Sequence, residues 1–415
     1  MRCRRIPEPP WAFTNVSAPS TRLLLTFCIV LLAGCAARPY VAADVSSASF
    51  LDRIITQETE TVRVTAAVPD AGETEALFGL PLYDQGVQPV WLEIENTGPT
   101  VVRLLVLSVD PDYYSPLEVA WMNRGGFGKE GKAAMERWFY DHAVERRVPP
   151  GESRSGFVFT HLKPGTKGFN VDLISTDLHS FSFTFFVPMP GFTADYMAVD
   201  FQGMYAEDEL VDLDIDGLRE ALENLPCCGT DASGTKDGAP FNVALIGTGT
   251  AVRRALLRAN WQETELGAAA TQAARLQYYR GRRPDGTFFK TRADGSERKE
   301  LRLWLTPLRV GADRVWLGQT GTVVGDARRK ATRTMVDPDI DTPSVYLTQE
   351  FWYSQSLQRI GFVKAQEAVP ASAPRTTFNG LKYFTSGLRG VLWLSEDPIG
   401  LDEVVNMNWE QMPRD

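Results

Sequence analysis

The sequence predicts an α+β chain built as two bodies, a β-sandwich-like domain with helical insertions over residues 51–210 and a mixed α+β domain over residues 239–415. Three observations carry that prediction. Short alternating apolar segments separated by Pro/Gly turns recur through the first half. A polar, glycine-bearing stretch from Gly229 to Gly238 holds no apolar residue but Ala232 and divides the chain. Beyond it, the apolar run Phe241 to Ile246, the turn Gly247-Thr248-Gly249-Thr250 and an amphipathic stretch follow in the order strand, turn, helix. At 415 residues the chain also exceeds one typical hydrophobic core, which favours two domains.

Near the start, Thr21 to Leu32 supplies one arginine and then an apolar run of about ten residues, the length of a signal-peptide core and too short to span a bilayer. It closes on Leu32-Ala33-Gly34-Cys35, which resembles the lipobox of bacterial lipoproteins. The small residues Ala33 and Gly34 let a peptidase approach the backbone. The resemblance implies that residues 1–34 are a signal peptide cleaved before Cys35. It further implies that the Cys35 thiol carries palmitate-type acyl chains and that residues 35–50 form a lipidated tether. Ala36, in place of aspartate, resembles the outer-membrane sorting pattern, giving a periplasm-facing position in the bacterial cell envelope. A membrane, reached through the lipid, is thus the first partner implied.

The four arginines and one glutamate ahead of Cys35 take the balance from 43 basic and 52 acidic residues to 39 and 51, a net charge of −12. An acidic body keeps the protein soluble and argues against nucleic acid as a partner, because phosphate binding needs concentrated Lys and Arg. With Cys3 and Cys28 in the signal segment and Cys35 acylated, only Cys227 and Cys228 remain of five cysteines. Adjacent cysteines are either free or buried thiols or a vicinal disulfide, and no Cys or His lies nearby at metal-ligand spacing.

In the first body, Thr61 to Thr65 alternates, and Val90, Leu92 and Ile94 share one face of another strand. Asn96-Thr97-Gly98-Pro99 turns the chain. Val101 to Val109 is nearly all apolar and reads as a strand buried on both faces. Helical stretches follow at Ser115–Met122 and Lys129–Asp141. Pro149-Pro150-Gly151 and Lys163-Pro164-Gly165 mark turns around the strands Gly156–Thr160 and Phe169–Leu173, since proline presets φ and glycine accepts φ > 0. Phe181, Phe183 and Phe185 alternate in one more strand, which completes a sandwich of immunoglobulin-like kind. His142, His161 and His179 fit no metal spacing and read as surface or hydrogen-bonded residues; Ser153 beside His161 has no nucleophile-elbow context.

Residues 211–238 read as a helix and linker. Asp212, Asp214, Asp216, Gly217 and Glu223 match a calcium-loop pattern, but Leu218, Ala221, Leu222 and Leu225 recur at helical spacing. Asp216 therefore reads as an N-cap and the acids as favourable charges at a helix start. The following strand, turn and helix, the last over Ala251–Trp261, lack the third glycine and the lysine of the nucleotide-binding fingerprints, which leaves a capped turn.

Leu225-Pro226-Cys227-Cys228, Asn242 to Gly247, the helix ending at Trp261, Leu301-Arg302-Leu303-Trp304, Val315-Trp316-Leu317-Gly318 and Asp337 to Asp341 together resemble an LssY-type C-terminal domain over about residues 225–365. The resemblance implies an α+β fold and an envelope setting, related domains being fused to phosphatidic-acid-phosphatase-like membrane segments. It carries over no catalytic residue. Arg298, Lys299 and Glu300 also stand where relatives place histidine ahead of the Trp304 strand.

Between Arg280 and Arg302 lie eight basic residues around Phe288-Phe289, a cationic hairpin suited either to lipid headgroups or to solvent with its phenylalanines turned inward. Asp337, Asp339 and Asp341, spaced by two, would point one way if extended, as a divalent-cation or acid-base cluster near Arg328 and Arg333. Alternatively they cap a helix over Ser344–Ile360. Short strands at Leu381–Phe384 and Val391–Leu394 end the chain.

The sequence thus predicts a cell-envelope lipoprotein acting as a non-catalytic binding or structural module at the membrane surface. It implies no cofactor, and an envelope protein or lipid as partner. The alternative is a hydrolase of lipid or phosphate metabolism using Asp337, Asp339 and Asp341.

Overall fold

A computed structural model describes residues 38–268, 277–292, 294–325 and 334–410. Residues 1–34 and Cys35, like Arg328 and Arg333, lie outside the described residues. The chain is α+β. Its first body carries strands β1 (Ile55–Glu58), β2 (Val62–Ala67), β3 (Val87–Asn96), β4 (Val102–Leu105), β5 (Arg147–Val148), β6 (Glu152–His161), β7 (Lys167–Ser175) and β8 (Ser180–Val187). They form two four-stranded antiparallel sheets, ordered β1-β2-β3-β6 and β5-β4-β7-β8.

Side chains two apart fall on one face of a strand. Val62, Val64, Val90, Leu92 and Ile94 from one sheet therefore meet Leu104, Val171, Leu173, Phe183 and Phe185 from the other in a single core. Three helices, α1 (Ala71–Phe78), α2 (Pro116–Met122) and α3 (Lys129–Asp141), cover the outer face of the first sheet. Leu77, Phe78, Val119, Met135 and Phe139 pack there on Trp91, Phe157 and Phe159. The two shorter helices start on capping boxes, Asp70 with Glu73 and Ser115 with Glu118, with Pro116 at the first helical position.

The strand buried on both faces is β3, under the helices, and not the run Val101–Val109. That run is β4, which alternates, followed by a 3-10 turn at Val106–Ser108 that leaves Leu105 and Leu107 exposed. Its outer face has no helical cover. The tether reading of residues 35–50 also changes. Tyr40 packs against Phe127, Trp138 and Phe139, and Phe50 is 0 % exposed, because two aromatic rings in a polar stretch gain more from burial than from solvation.

The second body is built on one ten-stranded mixed sheet. Its strands are β9 (Val211–Asp212), β12 (Val243–Gly247), β13 (Gln262–Glu263), β14 (Gly286–Thr291), β15 (Glu297–Val310), β16 (Asp313–Gly325), β17 (Thr334–Val336), β18 (Leu357–Lys364), β21 (Leu388–Leu394) and β22 (Val405–Asn406). Two hairpins stand apart, β10 (Cys228–Thr230) with β11 (Asp237–Pro240), and β19 (Arg375–Thr376) with β20 (Lys382–Tyr383). The main order is β13-β14-β15-β16-β12-β21-β18-β22, with β9 on β15 and β17 on β16. Helices α4 (Ile215–Asn224), α5 (Gly249–Arg258) and α6 (Asp341–Tyr353) cover it. Val243 and Leu245 join Val252, Leu256, Leu347 and Phe351 on one face, whereas Ala244 and Ile246 meet Leu218 and Leu222 on the other. Two-sided cover explains why β12 is apolar throughout.

The domain limits read from the sequence shift accordingly. Residues 211–238 are part of the second body: β9 pairs with β15, α4 is buried against the sheet, and the glycine-bearing stretch is the β10-β11 hairpin. Tyr196, Phe201, Met204 and Tyr205 also pack into this body's core, so the first body ends near Val187 and not at 210. The helix over Ser344–Ile360 is shorter, since α6 runs Asp341–Tyr353, Gln355 takes a left-handed φ of 58° and β18 begins at Leu357. Among the described residues no helix is long and apolar enough to cross a membrane.

One cation is enclosed where α4, β12 and β21 meet. Arg389 is 0 % exposed and donates from Nε to Phe241 O (2.9 Å), from Nη1 to Leu222 O (2.7 Å) and from Nη2 to Pro226 O (2.8 Å). Burial pulls its pKa down to about 10, with Tyr279 opposing.

Asp285 offers a pH readout for this body. Its carboxylate accepts Leu305 N (2.7 Å) and faces Arg282 at 3.5 Å, yet burial dominates and lifts its pKa to about 6. Between pH 6 and the unfolded value of 3.8 the folded chain holds a proton that the unfolded chain lacks, so this group adds stability as pH falls through that window. Asp285→Asn is expected to remove that gain, about 2 kcal/mol between pH 7 and 4.5, as read from urea midpoints of the two proteins.

Candidate functional site in the cleft between the two bodies

The residues singled out from sequence do not converge. Asp337 Oδ1 accepts Asp339 N (3.0 Å); Asp339 Oδ1 accepts Asp341 N (3.0 Å) and Thr342 N (3.1 Å); and Asp341 accepts Thr385 Oγ1 and Ser386 N (both 2.6 Å). Asp337 and Asp339 serve the turn into α6, and Asp341 ties the start of α6 to the loop ahead of β21. The cluster reading assumed extended backbone, and the turn into the helix removes that premise. Among the described residues no three His, Cys, Asp or Glu side chains gather as metal ligands would.

Asp214, two residues before the expected Asp216, caps α4 by accepting Gly217 N (2.7 Å). Asp212 instead binds Arg309, and Glu223 binds Arg219. Thr248 caps α5, and its hydroxyl donates to Glu396 (2.5 Å), so a protein carboxylate stands at that glycine turn. The cationic hairpin is largely consumed internally: Arg292 and Lys299 pair with Glu297, Arg302 with Glu300, and Lys290 with Glu350, while Phe288 is buried. Cys227 and Cys228 are joined through their sulfurs, with Cys228 buried and its Sγ 3.8 Å from Gln366 Oε1.

A different set of side chains does converge. Helix α5 packs on β7, where Gly168 allows the approach: a Cβ there would stand 3.2 Å from Leu257 Cβ. Polar bridges cross the same seam, from Arg253 Nη2 to Thr166 Oγ1 (3.2 Å), Arg258 Nη2 to Thr184 Oγ1 (3.0 Å) and Lys163 Nζ to Asn260 Oδ1 (2.6 Å). They border a cavity of about 550 Å³ whose lining includes Asp110, His161, Lys163, Arg258, Glu263 and Lys290.

The charges around this cavity are unevenly matched. Lys290 has Glu350 and Arg253 has Glu263. Among the described residues Lys163, Lys167 and Arg258 form no salt bridge; they donate to Asn260 Oδ1, to His161 O (2.7 Å), and to Thr184 Oγ1 and Glu396 O respectively. Arg258 Nε and Nη1 are buried without a hydrogen-bond partner among the described residues. Burial lowers the pKa of all three, helped at Arg258 by Arg254, and at Lys167 by Lys163, which brings Lys167 to about 7. Asp110 opposes this at both lysines. Burial works to raise Asp110 itself, but hydrogen bonds from His161 and Asp112 hold its carboxyl below the usual range. Its Oδ2 accepts His161 N (2.7 Å) and lies 3.2 Å from His161 Nδ1, which fixes the ring. Glu263 belongs to the same lining, and its Oε2 is buried without a hydrogen-bond partner among the described residues.

Such a cavity suits an anion carrying a hydroxyl or ammonium donor, the anion facing Lys163 and Arg258, with the charge of Lys167 behind them, and the donor facing Glu263. One signal for it was readable: Lys167 alternates in phase with Phe169, Val171 and Leu173, which places a charge among core positions. Lys163 was hidden in a Pro-Gly turn, and Arg258 stands off the apolar face of α5.

No curated protein matches the chain. Strands β12, β14, β15 and β16, helices α5 and α6 and the carbonyls that hold Arg389 fall inside one recognised stretch, longer than the 225–365 expected from motifs: residues 219–388 match the family described as LssY C-terminus, and the second body carries that domain.

Proposed function

We propose that this chain is a lipid-anchored protein of the bacterial cell envelope, held through Cys35 and facing the periplasm from the outer membrane. Its role is binding, and its site is the cleft between the two bodies. The observation that carries the reading is two cations in the lining of one cavity, Lys163 and Arg258, with the buried Lys167 close behind Lys163 and, among the described residues, no carboxylate in salt-bridge contact with any of the three. Burying charge without a counter-charge is costly, and a small anionic ligand offsets that cost. The Leu-Ala-Gly-Cys motif supports the anchor. The acids at 337, 339 and 341 are spent on backbone N–H groups, which supports binding over acid-dependent hydrolysis.

Inorganic sulfate is a suitable probe because it keeps its charge between pH 6 and 9. An anion in the cleft raises the pKa of Lys167 from about 7, so binding takes up a proton and weakens as pH rises. Calorimetric titration is expected to show saturable binding, with affinity falling about tenfold from pH 6.5 to pH 8.5. Repeating it in buffers of different ionisation enthalpy is expected to reveal proton uptake near pH 7.5. Absence of saturable binding, or affinity independent of pH, would overturn the assignment.

A further inference from the structure

We infer that the exposed face of the α2-α3 pair lies in the lipid-water interface of the membrane that holds the anchor; this rests on the acylation of Cys35 proposed above. Only Ala36 and Ala37 separate Cys35 from the first described residue, so the Cα that bears the acylated side chain lies within about 11 Å of chain reach from Arg38. Arg38 is fixed in place. It bridges to Phe127 in the α2-α3 loop, its guanidinium stands 5.9 Å from that ring, and the neighbouring Tyr40 is wedged against Trp138. Gly131 in α3 admits this crossing, since a Cβ there would meet Arg38 O at 3.0 Å. The lipid therefore has almost no slack, and its attachment point is beside this helical pair.

The same pair presents large apolar side chains to solvent. Leu117 is 55 %, Trp121 56 % and Tyr140 77 % exposed, with Met122 beside them. Leu117 and Tyr140 line one groove of about 1020 Å³, and Trp121 follows Leu117 by one helical turn. Single exposed apolar residues need no explanation, but a contiguous set does. Its composition is that of an interfacial belt: Trp and Tyr present an apolar ring with a polar edge, and the Arg124 guanidinium stands 4.0 Å from the Trp121 ring, where it can meet a headgroup. Lys129, Lys132 and Arg137 are interspersed with Glu130, Glu136 and Asp141, so attachment depends on the apolar side chains more than on net charge. The occupant that fits is a lipid surface, contacted and not spanned.

The test uses the purified full chain as the cell processes it, bound to vesicles of phosphatidylethanolamine and phosphatidylglycerol containing brominated phosphatidylcholine. Mass spectrometry of the N-terminal peptide reads acylation separately from docking. With acylation present, bromine is expected to quench tryptophan emission, and Trp121→Phe is expected to lose most of that quenching while still floating with the vesicles. Leu117→Ser is expected to reduce quenching of Trp121, with unchanged far-ultraviolet circular dichroism showing that the helices persist. An acylated, vesicle-bound protein quenched equally with and without Trp121 overturns the docking face and leaves the anchor standing. An unmodified N-terminal peptide removes the anchor; Trp121-dependent quenching would then still support the docking face, and its absence would overturn both.

Discussion

Arg389→Met is expected to destabilise the second body by about 3–5 kcal/mol, because three buried carbonyl oxygens lose a charged donor at once. Phe241 O, Leu222 O and Pro226 O belong to the entry of β12, the last turn of α4 and the segment just after it, and no water-sized route replaces the guanidinium at 0 % exposure. Lysine supplies one point donor where arginine supplies a planar fork, so Arg389→Lys is expected to recover less than half of the loss. Thermal scans would show it, the methionine form melting about 10 °C below the parent. A methionine variant within 2 °C of the parent would mean that this cation contributes nothing that a same-sized apolar side chain cannot.

Lys167→Met is expected to act in the opposite direction on stability and to damage binding. Lys167 is 1 % exposed, and burial followed by the charge of Lys163 depresses its pKa to about 7. Below pH 7 the folded protein carries the full cost of that charge; above it the folded chain gives up the proton and the cost declines towards the unfolded value of 10.5. The methionine form should therefore be more stable by about 2–4 kcal/mol at pH 6, an advantage that shrinks by about 2–3 kcal/mol at pH 9. Sulfate affinity at pH 6.5 should drop about tenfold and lose its pH dependence. Chemical denaturation at the two pH values and calorimetry together check both signs. A purely structural lysine would lower stability on removal and leave anion affinity unchanged.

How much was legible in the sequence depended on whether a residue's environment is set locally. Alternation located β2, β3, β7 and β8, because a period of two needs only near neighbours. The helical stretch at Ser115–Met122 is α2, whose start is set locally by Ser115, Pro116 and Glu118, and an aspartate ahead of α4 does cap it, though two positions before the one expected. Burial on both faces was assigned to Val101–Val109 when it belongs to β3, since the helices that cover β3 come from distant segments. The acids at 337, 339 and 341 look like a site only while the backbone is taken as extended. The cleft could not be read at all as a unit: Lys163 and Arg258 are 95 positions apart and meet only because Gly168 lets α5 close on β7. Lys167 alone gave a local sign, a charge in phase with core residues.

The parallel pairing of β12 with β21 has a consequence for how the chain matures. Val243 lies against Gly390 and Ile246 against Trp393, so the centre of the ten-stranded sheet stays open until the chain beyond residue 388 has been made. The first body closes from strands that all precede residue 188 and needs none of that material. The sandwich can thus consolidate while β12, apolar on both faces, still waits for its neighbour. During that interval β12 is the segment with most to gain from a chaperone, and a pause or truncation shortly before Leu388 would leave a folded first body joined to an aggregation-prone second one.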